Sequence, residues 1–135
     1  MMKQIKIIYK DKTYLLFFIL LVLCVTKKIN SQTLEEVKDY IYNKTEIKHK
    51  EIVYKQVIQE TRWLKCTKCS LDYNNLFGFY WKKKYLVFTS WEDSIIYYEK
   101  WQKRHYTKGD YYEFLKNRPF AIDPMYISKL KHIKL

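Results

Sequence analysis

The chain has 135 residues, a formal net charge of +12, and 48% hydrophobic and 19% aromatic residues. This length fits one domain, and two glycines and two prolines are too few for a flexible linker between domains. A strongly basic chain suits an anionic partner, although net charge alone specifies neither fold nor site. The sequence shows no internal repeat. Its basic residues belong to no recognisable RNA- or DNA-binding motif, so we expect no nucleic-acid partner.

Residues 1–31 have the features of a secretory signal peptide. A lysine-rich start is followed by the unbroken apolar run 14–25, which is shorter than the ~20 residues that a transmembrane helix needs. The bond between Ser31 and Gln32 is a workable cleavage site, but Ile29, at the third position before that bond, is not the small residue preferred there. An uncleaved signal anchor therefore stays open. Both interpretations predict export to the periplasm, the cell envelope or the medium. Membrane contact is expected only through this segment, if it is retained.

Residues 32–135 are expected to form one mainly α domain with a short β-hairpin. Thr33 and Ser90 are each followed three residues later by an acidic residue, which is the capping-box pattern at the start of a helix. Residues 79–88, rich in aromatic and β-branched side chains, predict the hairpin. Asp110 and Pro124 mark the starts of two later helices. The predicted helices span residues 34–42, 51–64, 91–104, 111–116 and 124–133.

The predicted helix over residues 51–64 carries one glutamate at the edge of its apolar stripe. Gln56 and Val57 lie at helical spacing from Val53, and Glu60 follows them by four and three residues. A carboxyl group half surrounded by hydrocarbon has a raised pKa because burial disfavours its charged form, which suits a general acid. The alternative is a partly exposed helix glutamate without a catalytic role, which periodicity alone favours.

Four segments in order carry a resemblance to a known family. They are QVIQE at residues 56–60, NLFG at 75–78, FTSWEDSI at 88–95, and FAIDPMY at 120–126. Lys129 and Leu130 extend the last segment. The stretch from about residue 46 to 130 resembles the glucosaminidase domain of glycoside hydrolase family 73. These are peptidoglycan hydrolases with a lysozyme-like fold. The resemblance implies a lysozyme-like α+β fold and cleavage of peptidoglycan next to N-acetylglucosamine, with Glu60 as general acid. We expect a monomer without cofactor or metal.

The resemblance also implies the residues that contact the sugar. Asn75, Phe77 and Gly78 would form the floor of the groove, with the Asn75 amide meeting an N-acetyl group and Gly78 allowing close backbone approach. Phe120 and Tyr126 would add further substrate contacts. Core packing is the alternative for Phe77, because buried aromatic rings dominate small cores.

The second catalytic group is the weak point of the resemblance. Glycoside hydrolysis needs a second carboxylate or help from the substrate's acetamido group. Many members of the resembled family carry another glutamate in an extended hairpin after NLFG, whereas residues 80–87 contain no acid. Glu92 and Asp93 are expected to be helix-start residues, and Asp123 a cap before a proline. A substrate-assisted route, or a water held by polar groups, is therefore favoured.

Three departures from the family pattern leave another function open. Arg62 and Leu64 replace a small residue and a glycine after the glutamate, and Phe120 replaces a tyrosine. A catalytically degenerate glycan-binding or scaffold protein on the same fold is the main alternative. A membrane-tethered interaction protein that uses its basic surface is a weaker one.

Cys66 and Cys69 form a C-x-x-C pair. A zinc site needs two further ligands, and His105 and His132 are isolated. An oxidising compartment favours a disulfide between the two cysteines, while free thiols stay open.

Overall fold

The computed structural model describes residues 32–118 and 120–135. The predicted signal segment, residues 1–31, lies outside the described residues, and its cleavage and the resulting export stay predictions. Within the described part of the chain, no helix is both long and apolar enough to cross a bilayer.

The described residues form a mainly α, lysozyme-like α+β fold, as the sequence predicts. The two short strands pair antiparallel, with Tyr80 opposite Tyr85 and Trp81 opposite Lys84. The hairpin follows the second helix, with one turn of 3-10 helix between them. The elements are α1 (Leu34–Asn43), α2 (Lys50–Thr61), the 3-10 turn Ser70–Tyr73, β1 (Tyr80–Trp81), β2 (Lys84–Tyr85), α3 (Trp91–His105), α4 (Tyr111–Asn117) and α5 (Tyr126–His132).

The predicted caps at the starts of α1, α3 and α4 are confirmed. The side chains of Thr33 and Ser90 accept hydrogen bonds from the backbone N–H three residues on, and the acidic residue there bonds back to the cap N–H. The Asp110 carboxylate accepts a hydrogen bond from the Glu113 N–H at 2.9 Å. These local bonds satisfy N–H groups that a helix start would otherwise leave without partners.

The start of α5 corrects the prediction that Pro124 opens the last helix. Asp123 accepts the Met125 N–H on its carboxylate at 2.9 Å and the Tyr126 N–H on its carbonyl at 3.0 Å. These two bonds form a turn that contains Pro124, so the helix begins only at Tyr126. Asp123 caps this turn, close to its predicted role.

α2 ends at Thr61, three residues earlier than predicted. Arg62, Trp63 and Leu64 all have positive φ, at 48°, 61° and 58°. Left-handed backbone costs about 1 kcal/mol or more per non-glycine residue, so the turn needs support. Thr61 supplies it: its hydroxyl accepts the Leu64 N–H at 3.0 Å, and its carbonyl accepts the Lys65 N–H at 3.1 Å. A glycine at position 64 would adopt this φ without strain.

The core surrounds α2, which contacts α1, α5 and the 3-10 turn. Apolar side chains from every helix meet here, and several core positions are tyrosines. The fully buried side chains include Val37, Ile41, Val53, Val57, Ile58, Leu76, Ile95, Tyr98, Tyr111, Leu115 and Leu130. α2 is thus held on several sides, which fixes its C-terminal end and the glutamate it carries.

Candidate active site

A pocket of about 770 Å³ opens at the C-terminal end of α2, beside the hairpin and the segment before α5. This volume lies in the ~300–1,000 Å³ range of small-molecule sites. Five of the six predicted catalytic and substrate-binding residues line it, and the sixth, Asn75, does not. The lining residues are Gln59, Glu60, Arg62, Phe77, Gly78, Tyr80, Tyr85, Phe120, Ala121, Ile122, Asp123, Tyr126 and Lys129.

Glu60 is the next-to-last residue of α2, and its carboxyl group lines the pocket while half-buried. Burial raises the pKa of this carboxyl from the 4.5 usual for a glutamate to about 7, while a hydrogen bond with Tyr126 acts in the opposite direction. A substantial fraction of Glu60 is therefore protonated at neutral pH. A protonated carboxyl facing a pocket has the state that a general acid needs.

The backbone of Gly78 lies directly beside this carboxyl group. Its φ is +65°, and a Cβ built on it would lie 2.7 Å from Oε2 of Glu60. No side chain fits there unless the carboxylate moves. The predicted close backbone approach exists, but the partner seen in the structure is the glutamate. Phe77, beside it, is 1% exposed and stacks on Tyr98 with ring centroids 4.2 Å apart, so core packing is its main role although it also lines the pocket.

The position of Asn75 corrects the prediction that its amide meets the sugar. Asn75 is fully buried, and its Nδ2 donates to the carbonyls of Phe79 at 2.8 Å and Leu86 at 3.0 Å. Its Oδ1 accepts the Phe79 N–H at 3.0 Å. The amide therefore holds the two ends of the hairpin together, and both of its N–H groups are already used.

The hairpin contributes aromatic rings to the pocket. Tyr80 and Tyr85 face each other across the two strands with ring centroids 5.2 Å apart, and both line the pocket while remaining exposed. Sequence reasoning did not single them out. Their signal was an aromatic pair at opposing positions of a short hairpin, which is a common cross-strand contact. Exposed rings beside a pocket present flat apolar faces to a ligand.

Tyr126 connects the glutamate to the interior. Its hydroxyl acts on the Glu60 carboxyl, whose pKa it lowers, and accepts a hydrogen bond from Nε2 of Gln56 at 3.2 Å. The interaction with Glu60 favours the ionised carboxylate, which is why it lowers the Glu60 pKa. Tyr126 is 5% exposed, so its hydroxyl is a fixed partner of the glutamate as well as a lining group of the pocket.

A buried chain of hydrogen bonds continues behind Gln56. Oε1 of Gln56 accepts from the Tyr98 hydroxyl at 2.5 Å, and the Tyr98 and Tyr111 hydroxyls are 2.7 Å apart. Nε2 of Gln102 donates to Tyr111 at 2.9 Å, and the Gln102 amide bonds both backbone polar groups of Lys48. Because Tyr98 donates to Gln56, Tyr111 must donate to Tyr98. The hydrogens from Gln102 to Tyr126 therefore all point the same way, and such chains strengthen each bond in them.

Asp123 is the second carboxyl group that the described residues place at this pocket. It lies 2.6 Å from Nζ of Lys129, and that hydrogen bond, with the one from the Met125 N–H, lowers its pKa. The pocket therefore holds two carboxyl groups whose pKa values are shifted in opposite directions. Glu92 and Asp93 do not line the pocket, and Asp93 caps α3.

Cys66 and Cys69 are joined by a disulfide, with their Cα atoms 6.1 Å apart. The pair lies between α2 and the 3-10 turn and does not line the pocket. In residues 32–118 and 120–135, no cluster of three or more histidine, cysteine, aspartate or glutamate side chains is placed to hold a metal ion.

The chain matches a known family of proteins. The family model Glucosaminidase, described as mannosyl-glycoprotein endo-beta-N-acetylglucosaminidase, matches residues 36–134, well over half of the chain. This match confirms the resemblance drawn from the four sequence segments. No match was found among curated proteins or among solved structures.

Proposed function

The chain belongs to the Glucosaminidase family, and from this premise we propose that it is an exported hydrolase that cleaves peptidoglycan strands next to N-acetylglucosamine. The half-buried carboxyl group of Glu60 in the pocket carries the proposal, because its raised pKa keeps a transferable proton at neutral pH. The family description names a glycoprotein substrate. N-acetylglucosamine is a sugar that this glycoprotein and peptidoglycan have in common. Arg62 lines the pocket and suits the carboxylates of peptidoglycan better than a neutral glycan.

In the proposed reaction, Glu60 donates its proton to the glycosidic oxygen as the bond from that oxygen to the sugar C1 breaks. Positive charge develops on the ring that is left, and a nucleophile must reach C1. Asp123 already accepts hydrogen bonds from Lys129 and the Met125 N–H, which favours a structural role for it. The carbonyl oxygen of the substrate's acetamido group is the proposed nucleophile. Its attack forms a bond to C1 and closes a cyclic intermediate. Water then attacks C1, the bond from C1 to the acetamido oxygen breaks, and the Glu60 carboxylate accepts a proton from that water, which restores the acetamido group and the protonated glutamate.

The test is product analysis on purified sacculi with matched variants. Wild-type protein should release fragments whose reducing end is N-acetylglucosamine, identified by borohydride reduction and mass spectrometry. Glu60→Gln should lower the rate at least ~100-fold, the usual effect of losing a general acid. Glu51→Gln, on the exposed N-terminal turn of the same helix, should retain activity. Unchanged activity in Glu60→Gln, or fragments ending in a muramyl sugar, would overturn the proposal.

The second candidate is a glycan-binding protein on the same fold without catalysis. It is favoured by the hairpin, which brings Tyr80 and Tyr85 to the pocket but no carboxylate, and by Phe120, which has no hydroxyl. Wild-type protein that binds sacculi but releases no fragment at any pH between 5 and 8 would support this candidate.

A further inference from the structure

A second pocket adjoins the one that contains Glu60. Its volume is about 360 Å³. The two pockets share the lining residues Phe77, Gly78, Tyr80, Phe120 and Ile122. They are therefore neighbouring compartments of one groove. A ligand bound at Glu60 can extend from the first compartment into the second, and a glycan strand is such an extended ligand.

The second pocket combines aromatic walls with one cation. Phe79 and Trp101 each meet Phe120 edge to face, with ring centroids 5.7 and 5.6 Å away. Arg118, exposed at the end of α4, lines the same space. Within the described part of the chain, no acidic side chain forms an ion pair with Arg118. A planar guanidinium without an internal partner, beside aromatic rings, suits a sugar that carries a carboxylate.

We propose that this pocket binds the muramyl sugar next to the cleaved bond and that Arg118 holds a carboxylate carried on that sugar's lactyl side chain. This assignment rests on the proposed function, because it names the neighbour of the N-acetylglucosamine bound at Glu60. The carboxylate is the lactyl acid itself in a strand without stem peptides, and an acid of the peptide in a substituted strand. Chitin has the same backbone and no carboxylate, so Arg118 distinguishes the two polymers.

Binding to a protein that does not turn over its ligand tests the assignment. Glu60→Gln is titrated calorimetrically with a chitin tetrasaccharide, a peptide-free tetrasaccharide with alternating muramyl sugars, and its peptide-bearing form. Both muramyl ligands should bind more tightly than chitin. Adding Arg118→Gln should weaken muramyl binding about tenfold, the effect of losing one charge-assisted hydrogen bond, and leave chitin binding unchanged. Of the two muramyl ligands, the one that loses more affinity on Arg118→Gln identifies the carboxylate: the lactyl acid for the peptide-free ligand, or a peptide acid for the peptide-bearing one.

Arg104→Gln is the matched control, because Arg104 is also exposed and lines neither pocket. It should change no affinity. Equal losses for chitin and muramyl ligands in Arg118→Gln, no loss at all, or the absence of any oligosaccharide binding would overturn the assignment. Failure of the proposed hydrolase would appear separately, as wild-type protein that releases no fragments from sacculi while the binding preference persists.

Discussion

Gly78 lies so close to Glu60 that a Cβ on the glycine would stand 2.7 Å from Oε2 of the carboxyl group. The backbone at Gly78 thus forms one wall of the space that the carboxyl group occupies. This wall excludes water from one side of Glu60 and so contributes to the burial that raises its pKa. Position and protonation of the acid both depend on a residue without a side chain.

Gly78→Ala is expected to lower activity about 100-fold, because an acid displaced by about an ångström no longer reaches the scissile oxygen. The left-handed φ of +65° should also reduce the free energy of unfolding by about 1 kcal/mol. Gly109→Ala is the control: its φ is +107°, and a Cβ there would meet no atom within 4 Å. Gly109→Ala should lose stability and retain activity. Wild-type rates for Gly78→Ala would show that the contact does not position Glu60.

The burial of Glu60 makes stability depend on pH with a definite sign. Its pKa is about 7 in the folded protein and 4.5 in an unfolded chain, so the folded state binds the proton more tightly. Below pH 4.5 both states are protonated and there is no penalty. Between pH 4.5 and about 7 unfolding releases a proton and stability falls, and above about 7 the penalty is complete.

Glu60→Gln removes this penalty because the amide has no charge to bury. The variant should be more stable than the wild type at pH 8, by on the order of 2 kcal/mol after allowance for solvent screening, and nearly equal to it at pH 4. Urea denaturation at pH 4, 6 and 8 measures the difference. A difference that stays constant over this range would contradict a raised pKa for Glu60.

Tyr126→Phe is expected to move the pH profile of activity. The wild-type rate should fall as pH rises through about 7, because the general acid then loses its proton. The Tyr126 hydroxyl lowers the Glu60 pKa, so its removal should shift this fall to higher pH. Tyr97→Phe, an exposed tyrosine on α3, is the control and should leave the profile in place. A change in KM with an unmoved profile would mean that Tyr126 only contacts substrate.

Asn75→Ala tests the structural role that replaces the predicted sugar contact. The substitution removes three hydrogen bonds that the buried amide makes with the backbone of Phe79 and Leu86. We expect a loss of about 3 kcal/mol in the free energy of unfolding, since buried backbone groups lose their partner. Asn117→Ala, exposed at the end of α4, should change it by less than about 0.5 kcal/mol. Thermal and urea denaturation give both values.

Sequence patterns predicted the features that depend on neighbours along the chain. The capping boxes at Thr33 and Ser90 act over three residues, and the half-burial of Glu60 follows from helical spacing. The predicted end of α2 was wrong because Arg62 and Leu64 have no intrinsic preference for left-handed backbone. In the structure, bonds to Thr61 stabilise the left-handed turn over residues 62–64.

Partners outside the local pattern account for what the sequence did not predict around the site. Gln56 looked like one polar position in an apolar stripe. Its amide bonds Tyr98 and Tyr126, which are 42 and 70 residues away in the sequence, and no local pattern encodes such pairs. The amide of Asn75 likewise bonds Leu86, eleven residues on, and this bond exists only once the hairpin has formed.

The hydrogen-bonded chain from Gln102 to Tyr126 also limits which substitutions this protein can tolerate. Exchanging Tyr98 or Gln56 alone strands a donor or acceptor in a dry interior, where its cost is not relieved by water. Tolerated substitutions must then occur in compensating pairs, and their energies will not add. Substitutions of exposed lysines strand no buried partner and should cost far less.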